Sequence, residues 1–269
     1  MSRIRETFAS LKRGGRGGFI PFITAGDPDI ATTELLLIEL AAAGADIIEL
    51  GVPFSDPVAD GEVIQRASER ALRNGVTLRD ALACAARAKQ RIDVPIVLFS
   101  YFNPLLKFGE QKLAKEAKQA GVDGVLVTDL IPEEAQSWTE TLVQFDLDPI
   151  FLVAPTTSDE RLARIAQQAS GFIYAVSRAG VTGARDEMSR DAEALVKRVR
   201  SVSDLPVAVG FGISTAEQVR EVWRFADAAV IGSAIVREIE RFGNSPGLVK
   251  RVGEFARSLV GSKQTHFTS

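Results

Sequence analysis

AGADIIELG, residues 43–51, decides the fold. It runs from the end of a helical pattern through one aspartate into a short apolar stretch that stops at glycine. The same order returns in AGVDGVLVTD at 120–129 and in FADAAVIGS at 225–233. A unit that recurs in this way marks a repeated strand-and-helix architecture. Outward from these three copies, apolar runs of strand length continue along the chain: GFIPFITAG, ADIIELG, VPIVLFSY, GVDGVLVTD, DPIFLVAP, GFIYAVS, LPVAVGFG and ADAAVIGSA. Amphipathic segments lie between them, among them TELLLIELAAAG, EQKLAKEAKQAG and DERLARIAQQAS. The runs are nearly unbroken in their apolarity, as strands are when helices cover one face and a packed interior the other.

Eight such runs in 269 residues predict a (β/α)8 barrel of the TIM type, class α/β, formed as a single domain over 1–269. An open doubly wound sheet is the competing arrangement. Extra helices are expected before the first strand, after the second (near 62–73 and 77–90) and after the eighth. A barrel of this kind places its chemistry on the loops that follow the strands' C-terminal ends.

Composition removes several functions. The net charge of −3 offers no basic face for nucleic acid. No apolar run has the roughly 18 residues of a membrane helix, and the start, MSRIRETFASLKRGG, carries no secretory apolar region, so the expected location is cytoplasmic. The one cysteine, Cys84, lies in an Ala-rich helical pattern, which excludes a disulfide or a cysteine metal site. The one histidine, His266, is in the tail QTHFTS. A histidine-based triad or a multi-histidine metal centre is therefore excluded, and acid–base chemistry falls to carboxylates, Tyr, Lys or Cys. None of the eight runs contains lysine, which disfavours a Schiff-base aldolase.

Glu49 stands one residue from the end of the second run, on the face of Ile47 and opposite Ile48 and Leu50. If that face is the barrel interior, its carboxyl lies at the mouth with little water, and desolvation raises its pKa toward neutrality. No Lys or Arg occurs from Gly17 to Gln65, so no local cation neutralises it. In the following loop, VPFSDPVADG, Pro53 and Pro57 restrict the backbone. Asp60 there precedes Gly-Glu and a helical pattern, a place where aspartate ordinarily caps a helix. Asp56 precedes proline, as turn aspartates often do.

Glycines cluster after the last three runs, in SRAGVTGAR, GFGIST and IGSAIV. They let backbone N–H groups approach an anion, and the segment AIVREIE adds a helix N-terminus. Barrels often bind phosphate here. Turns that need glycine conformations account for the same residues without a ligand. The residues alone thus describe a barrel acting on a small phosphorylated substrate with Glu49 moving a proton.

PFITAGDPD, ELGVPFSDPVADGEVIQ, SRAGVTGAR, GFGIS and GSAIV, in this order, resemble the α subunit of tryptophan synthase from Phe8 to about Val236. The resemblance implies cleavage of indole-3-glycerol phosphate to indole and glyceraldehyde 3-phosphate. It implies Glu49 as the proton-transfer group and Asp60 as the second carboxylate, facing the indole N–H. It aligns Phe22, Ile64, Tyr101, Leu126 and Tyr174 with the indole pocket and its rim, and Thr182, Gly183, Gly210, Phe211, Gly212, Gly232 and Ser233 with the phosphate end. It suggests that Thr182 orders Asp60 when its loop closes. Phe99 and Thr128 stand at pocket positions where some relatives differ. The resemblance assigns no metal and no cofactor to this chain. It implies a pyridoxal-phosphate β subunit as partner in an α2β2 complex, contacted by the loops containing Pro53–Asp60 and Phe102–Gly109. A phosphosugar isomerase and a non-catalytic activator of a β subunit are the alternatives.

Overall fold

The computed structural model describes residues 1–176, 185–210 and 212–261, with backbone alone for 185–189. The elements, in chain order, are α1 (Arg3–Arg13), β1 (Gly18–Thr24), α2 (Ile30–Ala42), β2 (Ile48–Gly51), α3 (Glu62–Arg73), α4 (Leu78–Lys89), β3 (Ile96–Ser100), α5 (Phe102–Phe108), α6 (Glu110–Gln119), β4 (Gly124–Val127), α7 (Gln136–Gln144), β5 (Asp148–Val153), α8 (Asp159–Gln168), β6 (Ile173–Val176), α9 (Arg185–Arg200), β7 (Val207–Gly210), α10 (Ala216–Val222), β8 (Ala228–Ile231), α11 (Ser233–Phe242) and α12 (Leu248–Val260). The eight strands pair in parallel and in sequence order, and β1 closes on β8. The closed barrel is the expected fold, and the open sheet is excluded.

The repeated aspartate has a structural task. Asp46, Asp123 and Asp227 each stand just before an even-numbered strand, and each carboxylate accepts the N–H at the start of the preceding strand. Phe19 donates to Asp46 at 2.9 Å, Ile96 to Asp123 at 3.0 Å and Val207 to Asp227 at 2.8 Å. Each also pairs with a cation, Arg16, Lys89 and Arg200 respectively. Before β6 the corresponding backbone donor is Ser170, whose hydroxyl goes to the Asp148 carboxylate instead. That explains why the sequence echo has three clear members.

Alternation sorts the strand residues into two sets. Phe19, Ile23, Ile48, Leu50, Ile96 and Leu98 pack outward with the helices. Ile20, Ile47, Val97, Leu126, Ile150, Ala208 and Val230 fill the interior. Ile4, Phe8 and Leu11, the buried stripe of α1, join that interior set, so the first helix seals the N-terminal end of the barrel.

The added helices fall where expected, before β1, after β2 and after β8. One segment differs. Phe102–Gly109, read as a loop, is largely the helix α5. Its N-cap, Tyr101, supplies no side-chain acceptor; Asp129, in the loop after β4, accepts the Phe102 N–H at 2.7 Å. The stabilising group is 27 residues away, so the local sequence does not display it.

Candidate active site

Glu49 is on β2 beside Phe22 of β1 and Val97 of β3, and it is 1% exposed. Its side chain shares the interior face with Ile47, as alternation requires. Among the described residues neither carboxyl oxygen has a hydrogen-bond partner, and no ion pair reaches it. Desolvation pushes its pKa up to about 8. The carboxyl is therefore protonated at neutral pH.

Asp60 lies above it in the loop to α3. The cap of that helix is Gly61, without a side-chain hydrogen bond, so the Asp60 carboxylate is not spent on capping. It meets the Tyr101 hydroxyl instead. Burial raises the Asp60 pKa to about 6, and the hydrogen bond with Tyr101 opposes that rise. Tyr101 is buried, and its hydroxyl also accepts the Ala59 N–H at 2.9 Å. The phenol pKa is raised by desolvation first and by the neighbouring Asp60 next. Tyr101 is thus more than apolar rim. Its ring packs on Phe54 at 5.0 Å, and its hydroxyl ties down the acidic loop.

Tyr174 joins the interior set from β6. Its pKa is driven well above the ordinary value by burial, with Glu49 and then Asp60 adding to the shift. Phe22 and Phe99 meet edge to face at 5.1 Å and pack with Val63, Ile64 and Val236. Leu126 is fully buried beneath them. Apolar groups thus wall a site in which Glu49 and Asp60 are the carboxyls.

The three described glycines expected at a phosphate end have three different physical reasons. Gly212 has φ +64°, a turn requirement. At Gly210 an added side chain would collide with the Tyr174 hydroxyl, so this glycine makes room for the tyrosine. Gly232 meets neither demand, since an added Cβ would sit at an ordinary 3.6 Å from Phe22. It caps α11 without a side-chain hydrogen bond, and among the described residues the first-turn N–H donors of that helix, from Ser233 on, are open. Gly232–Ser233 is the part best suited to an anion. Thr182, Gly183 and Phe211 lie outside the described residues.

Two residues escaped the sequence reading. Thr24 is two positions beyond Phe22 on β1, 1% exposed, and its hydroxyl has no partner among the described residues. Its inward parity was readable from that two-residue spacing. Gln65, in the first turn of α3, donates to the Asp60 carbonyl at 2.9 Å. No periodicity marks it.

The chain and its barrel match known proteins. A family model described as tryptophan synthase alpha chain matches residues 8–261. The chain belongs to the tryptophan synthase alpha chain family. Relatives named tryptophan synthase alpha chain include that of Citrifermentans bemidjiense, 51% identical over 96% of this chain and 97% of its own. That of Roseiflexus castenholzii is 50% identical over 97% of this chain and 100% of its own. Among solved structures, tryptophan synthase subunit alpha from Legionella pneumophila superposes with a TM-score of 0.89 at 37% identity, over 96% of this chain and 97% of that one. A chain of Mycobacterium tuberculosis tryptophan synthase gives 0.86 at 39%, over 97% of this chain and 99% of that one. The stretch matched by the tryptophan synthase alpha chain model includes both carboxylates, the aromatic walls and the α11 N-terminus.

Proposed function

We propose that this chain cleaves indole-3-glycerol phosphate to indole and glyceraldehyde 3-phosphate, the retro-aldol step of tryptophan synthesis. The observation that carries the reading is Glu49: a carboxylic acid buried at the barrel mouth, unpaired among the described residues and protonated at neutral pH.

The chemistry follows from the two pKa values. Glu49 gives its proton to the indole C3, and the ring becomes an indoleninium ion. Asp60, ionised at neutral pH, accepts a hydrogen bond from the ring N–H and stabilises the positive charge there. The bond from C3 to the glycerol carbon then breaks, and its electron pair returns to the ring. The hydroxyl on that carbon loses its proton to the Glu49 carboxylate as the aldehyde forms. Indole leaves aromatic, and Glu49 is again protonated. The ring itself is the electron sink, so the step calls for no metal or cofactor from this chain. Environments that hold two carboxyls on opposite sides of neutrality are a recurrent basis for such a division of labour.

Phe22, Ile64, Phe99, Leu126 and Tyr174 enclose the indole, and the phosphate binds at Gly232–Ser233 with the loops after β6 and β7, which include Thr182 and Gly183. The chain acts in the cytoplasm as one domain, with a pyridoxal-phosphate β subunit in an α2β2 complex. Exposed apolar side chains at the C-terminal end of the barrel support that partnership: Val58 is 86% exposed, Leu106 54% and Ile131 40%. The test is release of indole from indole-3-glycerol phosphate, with and without β subunit. Absence of indole in both conditions rejects the lyase reading. A rearranged sugar phosphate would identify an isomerase, and β-subunit activation without cleavage a non-catalytic activator.

A further inference from the structure

The turn that carries Asp60 has little packing to hold it. Val58 and Ala59 are exposed, and the space where a Gly61 side chain would lie is open. Among the described residues the turn closes on itself through two short-range backbone bonds, Asp60 N–H to the Pro57 carbonyl at 3.0 Å and Val58 N–H to the Asp56 carbonyl at 2.9 Å. Gly61 caps α3 without a side chain that could lock the junction. Yet the Asp60 carboxylate must hold one direction to meet an indole N–H. Among the described residues two side chains tie the turn from outside. Tyr101 does so from the end of β3, through the Ala59 N–H. Gln65 does so from α3: its Nε2 donates to the Asp60 carbonyl at 2.9 Å and reaches the Pro57 carbonyl at 3.4 Å.

We propose that Gln65 is a positioning residue for Asp60, acting from the first turn of α3 as the clamp that holds the 57–60 turn against the site. Both carbonyls flank the turn, so one amide group fixes its two ends together. The next residue inward on the same helical turn, Ile64, packs against the aromatic pair of the pocket. The clamp therefore ties the orientation of Asp60 to the wall on which the indole rests. This proposal rests on the reading of Asp60 given above.

The experiment compares Gln65→Leu, Asp60→Asn and their double variant, with indole-3-glycerol phosphate as substrate and thermal melts alongside. Gln65→Leu is expected to lower kcat by roughly ten- to a hundredfold, the scale on which small misplacements act, with KM changed less than about twofold. In the Asp60→Asn background the same change is expected to lower kcat no further, because its effect passes through the carboxylate. Gln65→Glu keeps the size but turns a donor toward the two carbonyls into an acceptor, and it should match Gln65→Leu. The acid limb of kcat/KM, expected near the Asp60 value of about 6 in the parent, should move down as the loosened carboxylate gains water. Unchanged kcat in both Gln65 variants, or an equal fold loss with and without Asp60, overturns the clamp. Parental kcat in Asp60→Asn rejects the role of Asp60 itself, and the clamp falls with it. Impaired Asp60→Asn beside unimpaired Gln65 variants rejects the clamp alone.

Discussion

Glu49 and Asp60 carry the same functional group, and their surroundings make them different reagents. Glu49 has lost its water and found no partner among the described residues; Asp60 keeps a phenol. Glu49→Gln should abolish indole release while binding of a substrate analogue persists, because the amide fills the same space but has no proton to give. The same variant should be more stable than the parent at alkaline pH. The sign follows from the raised folded-state pKa, about 8 against an ordinary 4.5. The folded protein holds a proton that the unfolded chain releases, so stability falls as pH rises between these values, and the amide escapes that loss. A gain on the order of 4 kcal/mol in urea unfolding at pH 8 is expected from the shift of 4.5 to about 8; a less stable Glu49→Gln would contradict the buried, unpaired state. The pair also sets the pH dependence of kcat/KM. It should fall below about 6 as Asp60 gains its proton and above about 8 as Glu49 loses its own. Asp60→Asn should remove the acid limb and lower kcat about a hundredfold with the melting temperature nearly unchanged, a loss within the range for removing one electrostatic stabiliser. Glu49 was legible because strand alternation fixes its direction. Asp60 was not, since a free carboxylate and a helix cap look alike in sequence, and only Gly61 in the cap position separates them.

At the level of elements, the strand-opening aspartates belong to stability. Asp123 joins the Ile96 N–H with Arg3 at 3.3 Å and Lys89 at 3.4 Å at the N-terminal end of the barrel. Asp123→Ala leaves that strand N–H without its acceptor and should cost about 1–3 kcal/mol. Chemical denaturation would register the loss, while kcat and KM stay at parental values. A fall in kcat in the folded variant would show that this end of the barrel communicates with the mouth. The three copies were readable as a repeat. Helix α5 was not readable, because its first N–H is satisfied by Asp129 from the next loop.

Closure of the barrel sets β1 between β2 and β8, and so brings α3 beside α11. Glu240 of α11 receives Arg66 at 2.7 Å and Arg70 at 2.8 Å, both from α3. Arg70 also binds the buried Asp27 after β1 with two hydrogen bonds, at 2.7 and 2.9 Å. The helix that follows Asp60 and the helix whose N-terminus suits the phosphate are thereby held at a fixed spacing, which suits one substrate bound at both ends. The exposed apolar groups at the barrel mouth lie outside this brace. Val58→Glu and Leu106→Glu should weaken β-subunit binding at least tenfold by calorimetry, since each introduces a charge that docking must desolvate. Indole release by the isolated chain should be unaffected in Leu106→Glu. Unweakened association of both variants would move the docking face elsewhere.

The sequence by itself determined the number and order of the strands, the helices between them other than α5, the inward face of β2, and the restriction to carboxylate chemistry. These depend on local periodicity and on which residue types are present at all. Tertiary structure alone decided that Asp60 does not cap its helix, that Gly210 serves Tyr174 while Gly232 leaves a helix end open among the described residues, and that Gln65 and Tyr101 hold one turn from two elements. Most of these rest on side chains from different elements meeting in space, and barrel closure, rather than neighbourhood in the chain, brings those elements together.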